Sequence, residues 1–139
     1  MPKSLVLGNG NLLITFDKYA QVSDFYFPYV GLENHTGGHY EHRVGVWTEG
    51  QLNWLGHPNW KISITSERDA LVGQTKAVNK ALGVELNFSD VVYNEKDIFL
   101  RKVRVVNTGT SRKEIKVYFN HEFEIYESHR GDTAYYDPI

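Results

Sequence analysis

The chain has 139 residues, of which 41% are hydrophobic and 23% charged. That is close to one domain at roughly 150 residues each and apolar enough for a real core, so the disordered class is excluded. A net charge of −2 with no cysteine removes a basic field for nucleic acid, a disulfide framework, a thiolate metal site and a cysteine nucleophile.

From the N-terminus, Met1-Pro2-Lys3-Ser4 leads to only three apolar residues before Gly8, too few for a secretory signal. No apolar run approaches about 18 residues, so no membrane partner is expected, and the cytoplasm is the expected location. Leu5–Leu7 and Leu12–Phe16 are short apolar runs joined by Gly8-Asn9-Gly10-Asn11, residues suited to a tight turn. Gln21–Phe27 reads as a strand that Pro28 stops, and Val30–Gly38 as a loop of Gly, Asn and Thr. Arg43–Thr48 and Gln51–Leu55 predict a hairpin around Glu49-Gly50. Trp60–Ser66, Leu71–Val78, Val84–Tyr93 and Ile98–Val106 continue the series, and Asn107-Thr108-Gly109-Thr110 turns the chain into Glu114–Ile125. In that last run Ile115, Val117, Phe119, His121, Phe123 and Ile125 share one side, which predicts one buried and one wet face. Nothing reads as a helix. Strands joined by short turns predict an all-β antiparallel meander folded as a β-sandwich. Tyr135-Tyr136 begins an element that Asp137-Pro138-Ile139 does not finish, so residues 1–139 are expected to be a partial domain.

Gly8-Asn9-Gly10 lacks the third glycine of a dinucleotide loop, because Leu13 stands there, and a strand follows where a helix is needed. A turn is the expected reading, and no cofactor is implied. His35, His39 and His42 tempt a metal assignment. Thr36-Gly37-Gly38 forbids the helix that would align them, and on an extended chain His42 points away from the other two. No metal site is assigned. No nucleophile elbow occurs. Asp17, Asp24 and Glu33 are the carboxylates nearest the aromatic loop, but an acid–base pair is defined by a separation that sequence does not supply. Asn34-His35-Thr36 and Asn87-Phe88-Ser89 match the glycosylation acceptor and, without a signal peptide, read as chance. Trp47, Trp54 and Trp60 cluster around one hairpin, with Trp47 and Trp54 on paired strands. Exposed, such rings stack on sugar faces, and buried they are core.

Four stretches carry a resemblance. They are Leu5-Val6-Leu7-Gly8-Asn9-Gly10-Asn11-Leu12-Leu13, then Asp24-Phe25-Tyr26-Phe27-Pro28-Tyr29-Val30-Gly31-Leu32-Glu33-Asn34-His35, then Arg43-Val44-Gly45-Val46-Trp47 with Arg104-Val105-Val106-Asn107-Thr108-Gly109. Together they resemble the N-terminal β-domain of prokaryotic glycoside hydrolase family 15 enzymes, the glucoamylases and their glucodextranase- and trehalase-like relatives. The resemblance implies a supersandwich (galactose-mutarotase-like) followed by an α/α toroid whose two glutamates, a general acid and a general base, hydrolyse α-glucosidic bonds with inversion. No series of amphipathic helices occurs here, so the resemblance places no catalytic residue on this chain.

The implied role is a non-catalytic domain that supports folding, stability or substrate access of an enzyme acting on starch-derived oligosaccharides. Its partner would be the toroid, met by a loop or active-site rim of Phe27, Pro28, Tyr29, Glu33, Asn34 and His35. A carbohydrate-binding module using Trp47, Trp54 and Trp60 is the alternative. A free-standing enzyme using Asp24, Glu33 or the histidines is the third. Exposed sheet edges would also favour a homo-oligomer.

Overall fold

The computed structural model describes residues 3–36 and 42–123. Ten strands follow in chain order: β1 (Leu5–Gly8), β2 (Leu13–Phe16), β3 (Val22–Tyr26), β4 (Arg43–Thr48), β5 (Gln51–Trp54), β6 (Lys61–Ser66), β7 (Val72–Asn79), β8 (Val84–Val92), β9 (Phe99–Asn107) and β10 (Lys116–Asn120). All pairings are antiparallel, and among the described residues there is no helix, hence none long and apolar enough to cross a membrane. The strands form three sheets, ordered β1-β2-β3, β10-β4-β5 and β6-β7-β8-β9. The fold is thus all-β and sandwich-like, as the period-two pattern predicts.

Strand β8 organises the interior. Its side chains alternate without a break, with Val84, Leu86, Phe88, Asp90 and Val92 buried and the residues between them half-exposed. Sheet β10-β4-β5 packs Val44, Val46 and Leu55 against Val84, Leu86 and Phe88. Sheet β1-β2-β3 packs Leu5, Leu7, Leu12, Ile14 and Phe16 around Val92, with Ile64 and Phe99 alongside. Each fully buried Leu, Ile, Val or Phe contributes about 1.5–3 kcal/mol by leaving water. The alternation also forces one charge inward, because Asp90 falls on the core face. Directly across the ladder, Arg101 meets it with Nε to Oδ1 at 2.7 Å and Nη2 to Oδ2 at 2.9 Å. The same guanidinium lies within 6 Å of the rings of Phe16, Phe88 and Phe99, and donates to the Ala20 carbonyl at 3.1 Å. One cation therefore joins both cores.

The turns follow their residues. Glu49 (φ 53°) and Gly50 (φ 79°) close the β4–β5 hairpin with the two positive φ values that match strand twist. In the Gly8–Asn11 turn, Asn9 Oδ1 accepts the N–H groups of Asn11 and Leu12, while Asn9 Nδ2 donates to the Tyr93 carbonyl at 3.0 Å. This is a structural turn tied to the β8–β9 connection.

The meander expectation fails in three places, since β3 does not pair with β4, β5 does not pair with β6, and β9 does not pair with β10. After β9 the chain crosses to the other layer, and β10 pairs with β4, Lys116 opposite Trp47 and Asn120 opposite Arg43. The crossing is held by Lys113 Nζ donating to the Leu82 carbonyl and Thr48 Oγ1 donating to the Glu114 carbonyl, both at 2.7 Å. The strand is also shorter than Glu114–Ile125, because the ladder stops at Asn120. Residues 124–139, including Ile125 and Tyr135-Tyr136, lie outside the described residues.

Candidate functional site

The loop after β3 is held firmly while presenting apolar side chains. Its two arms meet through a bridge between Tyr26 and Asn34, with the His35 N–H on the Phe25 carbonyl at 2.8 Å and the Phe27 N–H on the Glu33 carbonyl at 3.2 Å. The Phe27–Pro28 peptide is cis. Leu32 and Glu33 close the tip by donating their N–H groups to the Tyr29 carbonyl at 3.1 Å. Within this frame Tyr29 is 61% and Leu32 82% exposed, with Phe27 and Val30 also open to solvent.

Asn34 is the hub beneath that tip. Its Oδ1 accepts the N–H groups of Phe25 (3.0 Å) and Thr36 (3.2 Å), and its Nδ2 donates to Asp24 Oδ1 at 2.9 Å. Asp24 also receives Thr15 Oγ1 and pairs with Lys3. Burial alone would raise the Asp24 pKa, but the hydrogen bonds from Lys3, Thr15 and Asn34 outweigh it and hold the carboxyl below its usual range. An acid held ionised in this way is a fastener rather than a proton donor. The His35 ring sits 2.6 Å from the Phe27 carbonyl through Nε2 and edge-on to Phe25, so the imidazole braces the same loop.

The other two candidate acidic residues serve their turns differently, Asp17 through its side chain and Glu33 through its backbone. Asp17 Oδ1 accepts the N–H groups of Tyr19 and Gln21, and the Glu33 backbone closes the loop tip. Of the three histidines, His39 lies outside the described residues, and His35 and His42 have different partners. Among the described residues no group of three metal-capable side chains gathers.

His42 instead meets His121, Nδ1 to Nδ1 at 2.9 Å with ring centroids 5.0 Å apart. The two stand where the β4–β10 ladder would place its next pair beyond Arg43 and Asn120. His42 is buried, and the His121 ring stacks on Phe119. Burial first, and then the neighbouring His121, push His42 below the ordinary imidazole value, against the Glu122 carbonyl and carboxylate, which favour the cation. Partial burial and the charge of Arg101 lower His121 as well. Sequence reasoning missed this pair because the β4–β10 register had no local signal.

The three tryptophans separate. Trp60 is buried in the core beside Val44 and Val46 and offers no open ring face. Trp47 and Trp54 share the outer face of sheet β10-β4-β5, diagonal to one another, since Trp47 stands opposite Leu52 and Trp54 opposite Gly45. Lys116 Nζ lies 4.8 Å from the centroid of the Trp47 ring, a cation–π contact. Trp54 rests on Gly45, where an added Cβ would come within 2.9 Å of the indole atoms Cε3 and Cζ3. Glycine at 45 is therefore what allows the ring to lie against the strand.

Compared with protein-family models, with curated proteins and with solved structures, the chain matches none of them.

Proposed function

We propose that this chain is the N-terminal β-sandwich of a glucoamylase-type glycoside hydrolase, itself non-catalytic, and that it docks on an α/α-toroid catalytic domain through Phe27–His35. The observation that carries this reading is a loop whose apolar side chains point outward although its backbone is pinned by the N–H groups of Phe27, Leu32, Glu33 and His35. Loops without a partner bury or replace such side chains, whereas a preorganised apolar tip lowers the ordering cost of association. The motifs from Leu5 to Leu13 and from Asp24 to His35 supply the family resemblance, and with it the expected chemistry of the partner, inverting hydrolysis of α-glucosidic bonds.

In the enzyme that carries this domain, replacing Tyr29 and Leu32 together by serine should lower the melting temperature of the toroid by several degrees and reduce kcat/KM. The β-sandwich itself should melt as before, because neither side chain contributes to its core. Unchanged toroid melting together with unchanged kinetics would overturn the docking role. So would a reading frame that continues beyond Ile139 without a series of amphipathic helices.

A further inference from the structure

At the end of β3 opposite that loop, a cleft of about 420 Å3 opens between the β2–β3 turn and the segment after β5. Trp54 and Tyr19 supply its aromatic walls, and Asp17, Gln21, Arg43 and His57 its polar groups. We propose that this cleft binds a neutral oligosaccharide, with one pyranose stacked on Trp54 and its hydroxyls met by Asp17, Gln21 and Arg43.

The chemistry of the lining argues for that ligand class. A pyranose has an apolar C–H face and a rim of hydroxyls that each donate and accept. It calls for an open aromatic face beside a mixture of acceptor, donor and two-way groups. Asp17 accepts only, Arg43 donates only, and Gln21 does both. The Asp17 carboxylate stands with the Arg43 guanidinium in the lining, and Lys18 Nζ lies 4.9 Å over the Tyr19 ring, so groups of both signs meet at the cleft. Asp17 Oδ2, the Gln21 amide, the Tyr19 hydroxyl and the His57 ring have no hydrogen-bond partner among the described residues, and all are open to water. Of the three tryptophans only Trp54 borders the cleft.

The site is also rigid before any ligand arrives. Asp17 Oδ1 fixes the turn through the Tyr19 N–H at 2.8 Å and the Gln21 N–H at 3.0 Å. Ala20 holds a φ of 58°, and its carbonyl is gripped by the core guanidinium of Arg101. On the other wall the Trp54 ring is laid on β4 by Gly45. Walls set in this way lose little freedom on binding. This cleft and the Phe27–His35 loop lie at opposite ends of β3, so each role stands or falls without the other.

Titration of the 15N-labelled chain with maltotriose and with cellotriose tests the proposal. The Trp54 indole and the Tyr19 and Gln21 amides should move saturably, with Kd on the order of 1–10 mM, while the Trp60 indole stays still. Gln21→Ala and Arg43→Gln should each weaken binding roughly fivefold, or about 1 kcal/mol. Trp54→Ala could disturb β5 through Gly45, which is why the polar variants carry the test; Gln21→Ala keeps the backbone N–H that Asp17 uses. No saturable shift at the cleft up to about 50 mM of either sugar would overturn the proposal. Shifts confined to Trp47, or wild-type affinity in both polar variants, would do so equally.

Discussion

On the β1-β2-β3 side of β8, Leu7, Leu12, Ile14 and Phe16 are almost inaccessible, and the Asp90–Arg101 pair closes the space between the layers. On the β10-β4-β5 side Val44 and Val46 are buried just as deeply, yet the core-facing row of β10 runs out into solvent. Phe119 stands directly opposite Val44 and remains 44% exposed. Both sheets place apolar side chains toward β8 at the correct period, so patterning does not separate them. Coverage does. A side chain leaves water only where a neighbour arrives on each flank, and among the described residues β10 has β4 on one side alone.

The largest test of that contrast is Arg101→Met. It keeps much of the stem beside the three phenylalanines but strands the Asp90 carboxylate in the core, so about 4 kcal/mol of stability should be lost. Urea unfolding measures it. A loss below about 1 kcal/mol would mean that Asp90 finds water and that this side is less closed than its geometry implies. Truncating one residue on each side sharpens the comparison further. Ile14→Ala should cost about 3 kcal/mol by leaving a cavity, whereas Phe119→Ala should cost well under about 1 kcal/mol because its ring is already wet. Similar losses for both would show that the β10 face is covered in solution.

The smallest effect is one of pH. His42 and His121 both sit below the usual imidazole value, so the unfolded chain, with imidazoles near 6.5, takes up protons first as pH falls. Their contribution is complete above about 6.5 and is lost progressively below it, whereas the Asp24 contribution persists until the carboxylate range is reached. The denaturant midpoint of the wild type should therefore drop more between pH 7 and 5 than that of His121→Gln. Parallel slopes would show that the pair does not couple to stability. The charged groups acting on it are Glu122 and Arg101, which pull in opposite directions.

Much of the architecture was legible because strands advertise themselves by alternation. Leu5–Leu7, Arg43–Thr48 and Val84–Tyr93 fall within a residue or two of β1, β4 and β8. The β4–β5 hairpin was legible too, and what the pattern did not carry was which strands meet across long separations. The pairing of β4 with β10 depends on packing across about 70 residues, and the His42–His121 contact depends on that pairing. Asp90 did leave a sign, a charge on the apolar side of a perfect alternation, which demands a cross-strand cation. Trp60 looked like part of a hairpin cluster because spacing does not say which face a ring turns to. Asn34 was named with its loop, but its role as a hub for Asp24, Phe25 and Thr36 was not legible, since an asparagine beside glycines reads as an ordinary turn residue.

The β4–β10 ladder has a consequence for synthesis. At 5–20 residues per second, the partner of β4 leaves the ribosome roughly 4 to 14 seconds after β4 itself. Through that interval the β4–β5 hairpin offers an unpaired edge beside Val44 and Val46, and the nascent chain must be shielded at that edge or risk finding another strand there.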